Sequence, residues 1–102
     1  MFKNLDPLLH SQLRLAIMSL LLNTEEAEFT YLKNETGATQ GNLSVQLNKL
    51  YDAGYIEIKK QFRKNYPLTT CRITPLGVEK FKAYVDALSD YLTGPGKRRT
   101  GQ

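Results

Sequence analysis

The stretch Thr39–Lys60, TQGNLSVQLNKLYDAGYIEIKK, constrains the fold more than any other. The Thr39 hydroxyl can accept from a free backbone N–H of a first helical turn. Leu43, Leu47 and Leu50 then recur at i, i+4 and i+7, which makes one apolar stripe. Gly54 stands where a left-handed, helix-ending residue is wanted, and Tyr55, Ile56 and Ile58 open a strand at once. The faces away from the stripe carry Gln40, Asn42, Ser44, Gln46, Asn48 and Lys49. Most of these are uncharged hydrogen-bonders, where a merely solvated face usually carries Glu and Lys. The pattern implies a surface helix built to meet a hydrogen-bonding partner, and the expected partner is DNA.

Upstream, Asp6 and Pro7 predict a helix start, a capping carboxylate followed by proline at the first helical position. Leu9, Leu13, Ala16, Ile17, Leu20 and Leu21 keep a helical period to about Leu22. Leu5, Leu8 and Leu15 widen this stripe, for a deep core or for a subunit interface. Ala27–Phe29 reads as one short extended rung. Thr30 is expected to cap a brief helix through Glu35, with Tyr31 and Leu32 facing inward and Gly37 ending it. Only Gly37 and Ala38 separate it from Thr39, so two short helices meet at a tight glycine-containing turn.

After Gly54, Tyr55–Phe62 and Thr69–Thr74 read as a β-hairpin with a longer-than-minimal connection over Arg63–Pro67. Lys59, Lys60, Arg63, Lys64 and Asn65 make this hairpin basic and polar, with Phe62 and Tyr66 interleaved. The aromatics are expected to brace the hairpin rather than pack on sugar edges. Thr74 and Pro75 start a last helix in which Leu76, Phe81, Tyr84, Val85, Leu88, Tyr91 and Leu92 recur at three- and four-residue steps. A domain this small cannot bury all of that stripe, so pairing with a second copy is expected. Leu8, Leu9, Phe81, Tyr84, Val85, Leu88, Tyr91 and Leu92 are the candidate dimer residues. Gly94, Pro95 and Gly96 stop the helix, and Lys97, Arg98 and Arg99 form a basic tail expected to be flexible.

Charge follows the same division. Residues 1–54 hold four basic and six acidic side chains, while residues 55–102 hold ten basic and four acidic. The basic second half suits a polyanion. Solubility alone could also account for it. The single cysteine, Cys71, excludes an internal disulfide and a cysteine-rich metal site. It reads as a small buried strand residue ahead of a redox sensor, and His10 as a packing or surface residue. Glu25, Glu26 and Glu28 cluster without an electrophile or metal partner. No nucleophile–base pair, metal set or phosphate loop is visible, so no enzyme activity, cofactor or metal is expected. Asp6, His10, Gln12 and Arg14 interrupt the apolar N-terminus, no small-residue cleavage site follows, and no apolar run reaches the ~18 residues of a membrane span. The expected location is the cytoplasm, without membrane association.

Gln40-Gly41-Asn42-Leu43-Ser44, Leu47, Leu50 and Ala53-Gly54-Tyr55-Ile56 carry a family resemblance, continued by Thr74-Pro75-Leu76-Gly77 and by His10–Ile17. Over about residues 8–92 the chain resembles the winged helix-turn-helix transcriptional regulators of the MarR and ArsR groups and the small stand-alone repressors related to them. The resemblance implies a mainly helical α+β fold over residues 1–94. It would comprise a three-helix core, a hairpin wing and a long dimerisation helix at about 75–93, with a basic tail at 95–102. It further implies a transcriptional regulator, a repressor, binding double-stranded DNA as a homodimer on a pseudo-palindromic site. Gln40, Asn42, Ser44, Val45, Gln46, Asn48 and Lys49 would lie in the major groove, with the wing on phosphate or minor groove. A small-molecule effector, unidentified by the sequence, is a further partner in MarR-like regulators. The chain departs from the family at Val45 and Gln46, where arginine or histidine often stands, and it lacks the ligand clusters of metal sensors. The rival expectation is a winged-helix protein-interaction module that binds no DNA, since fold does not fix function.

Overall fold

The computed structural model describes residues 2–94; the basic tail, with Lys97, Arg98 and Arg99, lies outside them. In chain order the elements are α1 (Gln12–Leu22), β1 (Ala27–Glu28), α2 (Phe29–Thr36), α3 (Gln40–Asp52), β2 (Ile56–Arg63), β3 (Tyr66–Ile73) and α4 (Pro75–Thr93). The strands form one antiparallel sheet in the order β1-β3-β2. Among the described residues, four helices with a small sheet make the fold mainly helical α+β, a winged helix. The core gathers Leu9, Ile17, Met18 and Leu21 with Leu32, Leu43, Leu47, Leu50, Ile56 and Cys71, all at most 3% exposed. No helix among the described residues is long and apolar enough to cross a membrane.

The cap and stop of α3 fall where the sequence places them. Thr39 Oγ1 accepts from the Asn42 N–H at 3.1 Å, and Gly54 takes φ 81°. Helix α1 differs. It begins at Gln12 under a Ser11 cap, not at Pro7. Asp6 does cap, accepting from the Leu8 N–H at 2.9 Å, but it closes a single turn. The Leu8 carbonyl, which a continuous helix would pair with the Gln12 N–H, instead accepts from Arg14 Nε at 2.6 Å. Helix α2 also starts earlier, at Phe29, and its N-cap Glu28 makes no side-chain cap bond. That start turns Phe29 and Leu32 to the core, while Tyr31, two residues from Phe29 and so on nearly the opposite side, stays 47% exposed.

The hairpin connection is shorter than expected. Lys64 and Asn65 alone form the turn, with φ 51° and 69°, the paired left-handed geometry whose twist suits a two-residue hairpin. Pro67 is tolerated as a strand residue because Arg63 and Tyr66 close the turn. The next pair, Phe62 with Pro67, is then the non-hydrogen-bonded kind. Its missing N–H faces outward, beyond the reach of β1, which pairs only with Thr70 and Cys71.

Helix α4 is docked where the hairpin begins and ends. The Thr74 N–H donates to the Tyr55 carbonyl at 3.0 Å. The Thr74 hydroxyl donates to the Gly54 carbonyl at 2.6 Å and accepts from the Gly77 N–H at 3.0 Å. A Cβ on Gly77 would lie 2.1 Å from the Tyr55 carbonyl oxygen. Nearby, the Tyr55 hydroxyl donates to the Asp6 carboxylate at 2.6 Å. Burial first, and then this bond and the carboxylate charge, push the phenol up to about 12. Gly77→Ala is expected to cost about 2–3 kcal/mol by forced overpacking, lowering the melting temperature by ~10 °C or more. A thermal melt checks it, and an unchanged midpoint would mean that the junction is not rigid.

Candidate nucleic-acid interface

One solvent-facing stripe of α3 is Gln40, Ser44 and Asn48, at i, i+4 and i+8. These three line a groove of about 220 Å³ together with Phe29, Leu47, Ile58, Lys60 and Thr69. The groove therefore runs between α3 and the face of the wing that carries Lys60. Beside this stripe, Asn42, Val45 and Lys49 are exposed and Gln46 is half-buried. Val45 is an apolar side chain left 51% exposed among polar ones. A Cβ added at Gly41, in the first turn, would meet nothing within 4 Å. The protein itself thus has no steric need for glycine there.

Strand alternation splits the wing cations that the sequence groups together. The register pairs Lys60 with Thr69 and Ile58 with Cys71 on the α3 side. Lys59 and Arg63 alternate with these and face the other way, and Lys64 sits in the turn with Asn65. Arg63 is moreover engaged, its guanidinium donating to the Glu28 carboxylate at 2.9 Å with both side chains well exposed. Such a pair contributes at most about 1 kcal/mol, but it draws Arg63 toward β1. Glu28, read as part of an unpartnered acidic cluster, is that partner. Phe62 and Tyr66 are 76% and 75% exposed, so their rings are largely open to solvent on the wing.

Arg14 is the site residue that sequence reasoning missed. Besides holding the Leu8 carbonyl, it donates through a terminal nitrogen to Gln46 Oε1. Gln46 Nε2 in turn donates to Asn42 Oδ1 at 3.0 Å. A lone cation inside the apolar period of α1 was the available signal.

The candidate dimer residues separate into three groups. Leu9 and Tyr84 are 0% and 4% exposed within the single chain, which removes them from a subunit interface: the chain's own core already holds them. Nδ1 of His10 lies 2.9 Å from the Tyr84 hydroxyl. Leu8, Phe81 and Leu88 are half-buried. Val85, Tyr91 and Leu92 are exposed, Leu92 at 81%. Tyr91 stacks on Phe2 with ring centroids 4.6 Å apart and donates to the Lys3 carbonyl at 3.1 Å, so the N-terminal segment lies along α4.

A family model described as a winged helix DNA-binding domain matches residues 13–92. An uncharacterised protein of Methanocaldococcus jannaschii is 40% identical over 76 residues, covering 74% of this chain and 83% of the relative. A transcriptional regulator homologue from Pyrococcus horikoshii superimposes with a TM-score of 0.80 at 28% identity, over 88% of this chain and 89% of that one. PadR of Bacillus subtilis, in complex with operator DNA, shares the fold with a TM-score of 0.61 at 23% identity, over 74% of this chain and 48% of that one.

Cys71, 1% exposed, has a thiol that burial pushes up from 9.0 to about 11. At neutral pH it is a protonated core group rather than a reactive thiolate. The stability that the protonated thiol contributes is complete below pH 9 and is lost as pH rises toward about 11. Alkylation of the native protein at neutral pH is expected to be far slower than of the unfolded chain. Equal rates would contradict the burial.

Proposed function

The chain belongs to the winged helix DNA-binding domain family, and from that premise we propose that it represses transcription as a homodimer bound to a pseudo-palindromic operator. The observation that carries this reading is the α3 surface. Its free hydrogen-bonding side chains stand beside a groove whose far wall holds Lys60. At 13 residues, α3 spans ~20 Å and fits a major groove about 12 Å wide. Gln40, Asn42 and Asn48 face base edges or phosphates, and Val45 suits the methyl group of thymine. Ser44 and Lys60 take backbone phosphate, which positions the helix without specifying sequence. Lys64, at the tip of the wing, reaches the adjoining phosphate or minor groove. Gly41 lets the phosphate backbone approach the first turn of α3 closely.

Dimerisation runs along α4 and the N-terminal segment. Val85, Tyr91 and Leu92 are its exposed apolar residues, flanked by the half-buried Phe81, Leu88 and Leu8. Two α3 helices held in this way meet successive major grooves with half-site centres about 34 Å apart. PadR bound to its operator supports the reading, because that protein shares this fold and is seen in complex with operator DNA. The repressor role follows the small regulators that the chain resembles. A cleft of about 340 Å³ between residues 4–7 and α4, lined by Leu5, Asp6, Tyr55, Lys80 and Tyr84 among others, offers an effector a site at the small end of the ligand-pocket range.

Binding to duplex DNA is expected to weaken steeply with salt. Lys60→Ala should lower affinity for every sequence and reduce the log–log salt slope by about 0.9. Arg63→Ala should change both less, its guanidinium being directed to Glu28. Fluorescence anisotropy across a salt series measures this, and equal losses from the two variants would contradict the division of the wing faces. No binding even at low salt would favour the protein-interaction module instead. For the dimer, sedimentation should give twice the chain mass for the wild type and a single chain for Leu92→Asp combined with Val85→Asp. A wild-type monomer would refute the dimer.

A further inference from the structure

We propose that Arg14 is a positioning residue that decides what α3 reads, fixing the Asn42–Gln46 pair as a donor surface suited to guanine rather than adenine. This rests on the DNA-binding reading above. A guanidinium carries donors only. The Gln46 atom that faces Arg14 must therefore be the amide oxygen. Gln46 Nε2 is then the atom directed at Asn42, which must answer with its own oxygen, 3.0 Å away. The polarity of both surface amides follows from the one guanidinium.

Arg14 is itself held at its other end. Its Nε donates to the Leu8 carbonyl at 2.6 Å, in the turn that Asp6 anchors and that leads into the fully buried Leu9. An i, i+4 amide pair on an isolated helix could form with either polarity; packed against Arg14 it has one.

Adenine recognition by an amide needs the oxygen and the nitrogen of the same side chain together, the oxygen for the N6 hydrogens and the nitrogen for N7. Here each amide oxygen already accepts one bond from within the protein and is turned toward that partner, with one lone pair left on each. The hydrogens still unspent are the two on Asn42 Nδ2 and one on Gln46 Nε2. Such a surface meets an edge of acceptors, and guanine presents N7 and O6 side by side in the major groove.

The test is selection of binding sites from random double-stranded DNA by the full chain, as wild type and as Asn42→Ala, Arg14→Met and Gln46→Met. The base pair whose preference Asn42→Ala abolishes is the one that the pair reads. Wild type is expected to select guanine there. Arg14→Met should shift selection at that base pair toward adenine by about fivefold or more. Gln46→Met keeps the Arg14–Leu8 bond, frees the Asn42 oxygen and should shift it in the same direction, so the test survives a failure of Arg14→Met to fold. Adenine selected by the wild type, or variants that bind every sequence more weakly with preference unmoved, would overturn the proposal and leave DNA binding standing. No sequence selected by the wild type even at low salt would overturn the DNA-binding reading, and this proposal with it.

Discussion

The backbone carbonyl of Tyr55 is the point on which the arrangement of this molecule turns. It accepts the Thr74 N–H at 3.0 Å and lies where a side chain on Gly77 would have to begin. The Thr74 hydroxyl closes the same corner on the Gly54 carbonyl. The hairpin thus leaves α3 and returns to α4 at one junction, and the ends of both helices and the base of the wing are held together. Every one of these contacts has a backbone group at one end, and the Thr74 hydroxyl makes two of the three hydrogen bonds. The junction therefore demands two residues, the hydroxyl of Thr74 and the bare Cα of Gly77. In the proposed dimer the same junction couples the direction of α4 to the direction of α3, and hence the subunit interface to the DNA surface.

A second, polar constraint runs through Arg14. One guanidinium satisfies the Leu8 carbonyl, ends the turn before α1 and reaches Gln46 on α3. A residue of the first helix thereby orders two side chains of the third. The same economy appears on the wing, where alternation places Lys60 beside α3 and turns Arg63 to Glu28. In the proposed complex, base discrimination and charge fall on separate elements, the first on α3 and the second mainly on the wing. That division suits a binder whose affinity comes from phosphate neutralisation and whose selectivity comes from hydrogen bonds in a groove.

Much of the fold was legible because its signals are local. The Thr39 cap and the left-handed Gly54 each depend on a few neighbouring residues, and both fall where the sequence places them. The stripe of Leu43, Leu47 and Leu50 is buried as its spacing requires. The misreadings share another cause. Asp6 and Pro7 carry a genuine start signal, but the Leu8 carbonyl is taken by a side chain six residues on. The expected Thr30 cap lies two residues beyond the observed one at Glu28, and Tyr31 is exposed rather than inward. The Lys64–Asn65 turn contains no glycine and is followed by a proline, both of which speak for a longer loop. Only the strand register shows that the proline nitrogen faces away from its partner. Leu9 and Tyr84 have the right spacing for a dimer stripe, yet spacing does not say which copy of the chain will bury them.

The sequence by itself determined the element types, the caps and stops of α3, the apolar faces and the basic bias of the second half. Periodicity and turn chemistry act within a few residues and need no knowledge of the rest of the chain. Tertiary structure alone decided which wing cations share a face with α3, which apolar residues the single chain consumes, and which way the amides of Asn42 and Gln46 point. Each of these turns on a partner distant in sequence: Thr69 for Lys60, Glu28 for Arg63, Tyr84 for His10, Arg14 for Gln46. The helix that the sequence marks out as a hydrogen-bonding surface is therefore read correctly in place and in composition. Its polarity comes from an arginine that local pattern could not assign to it.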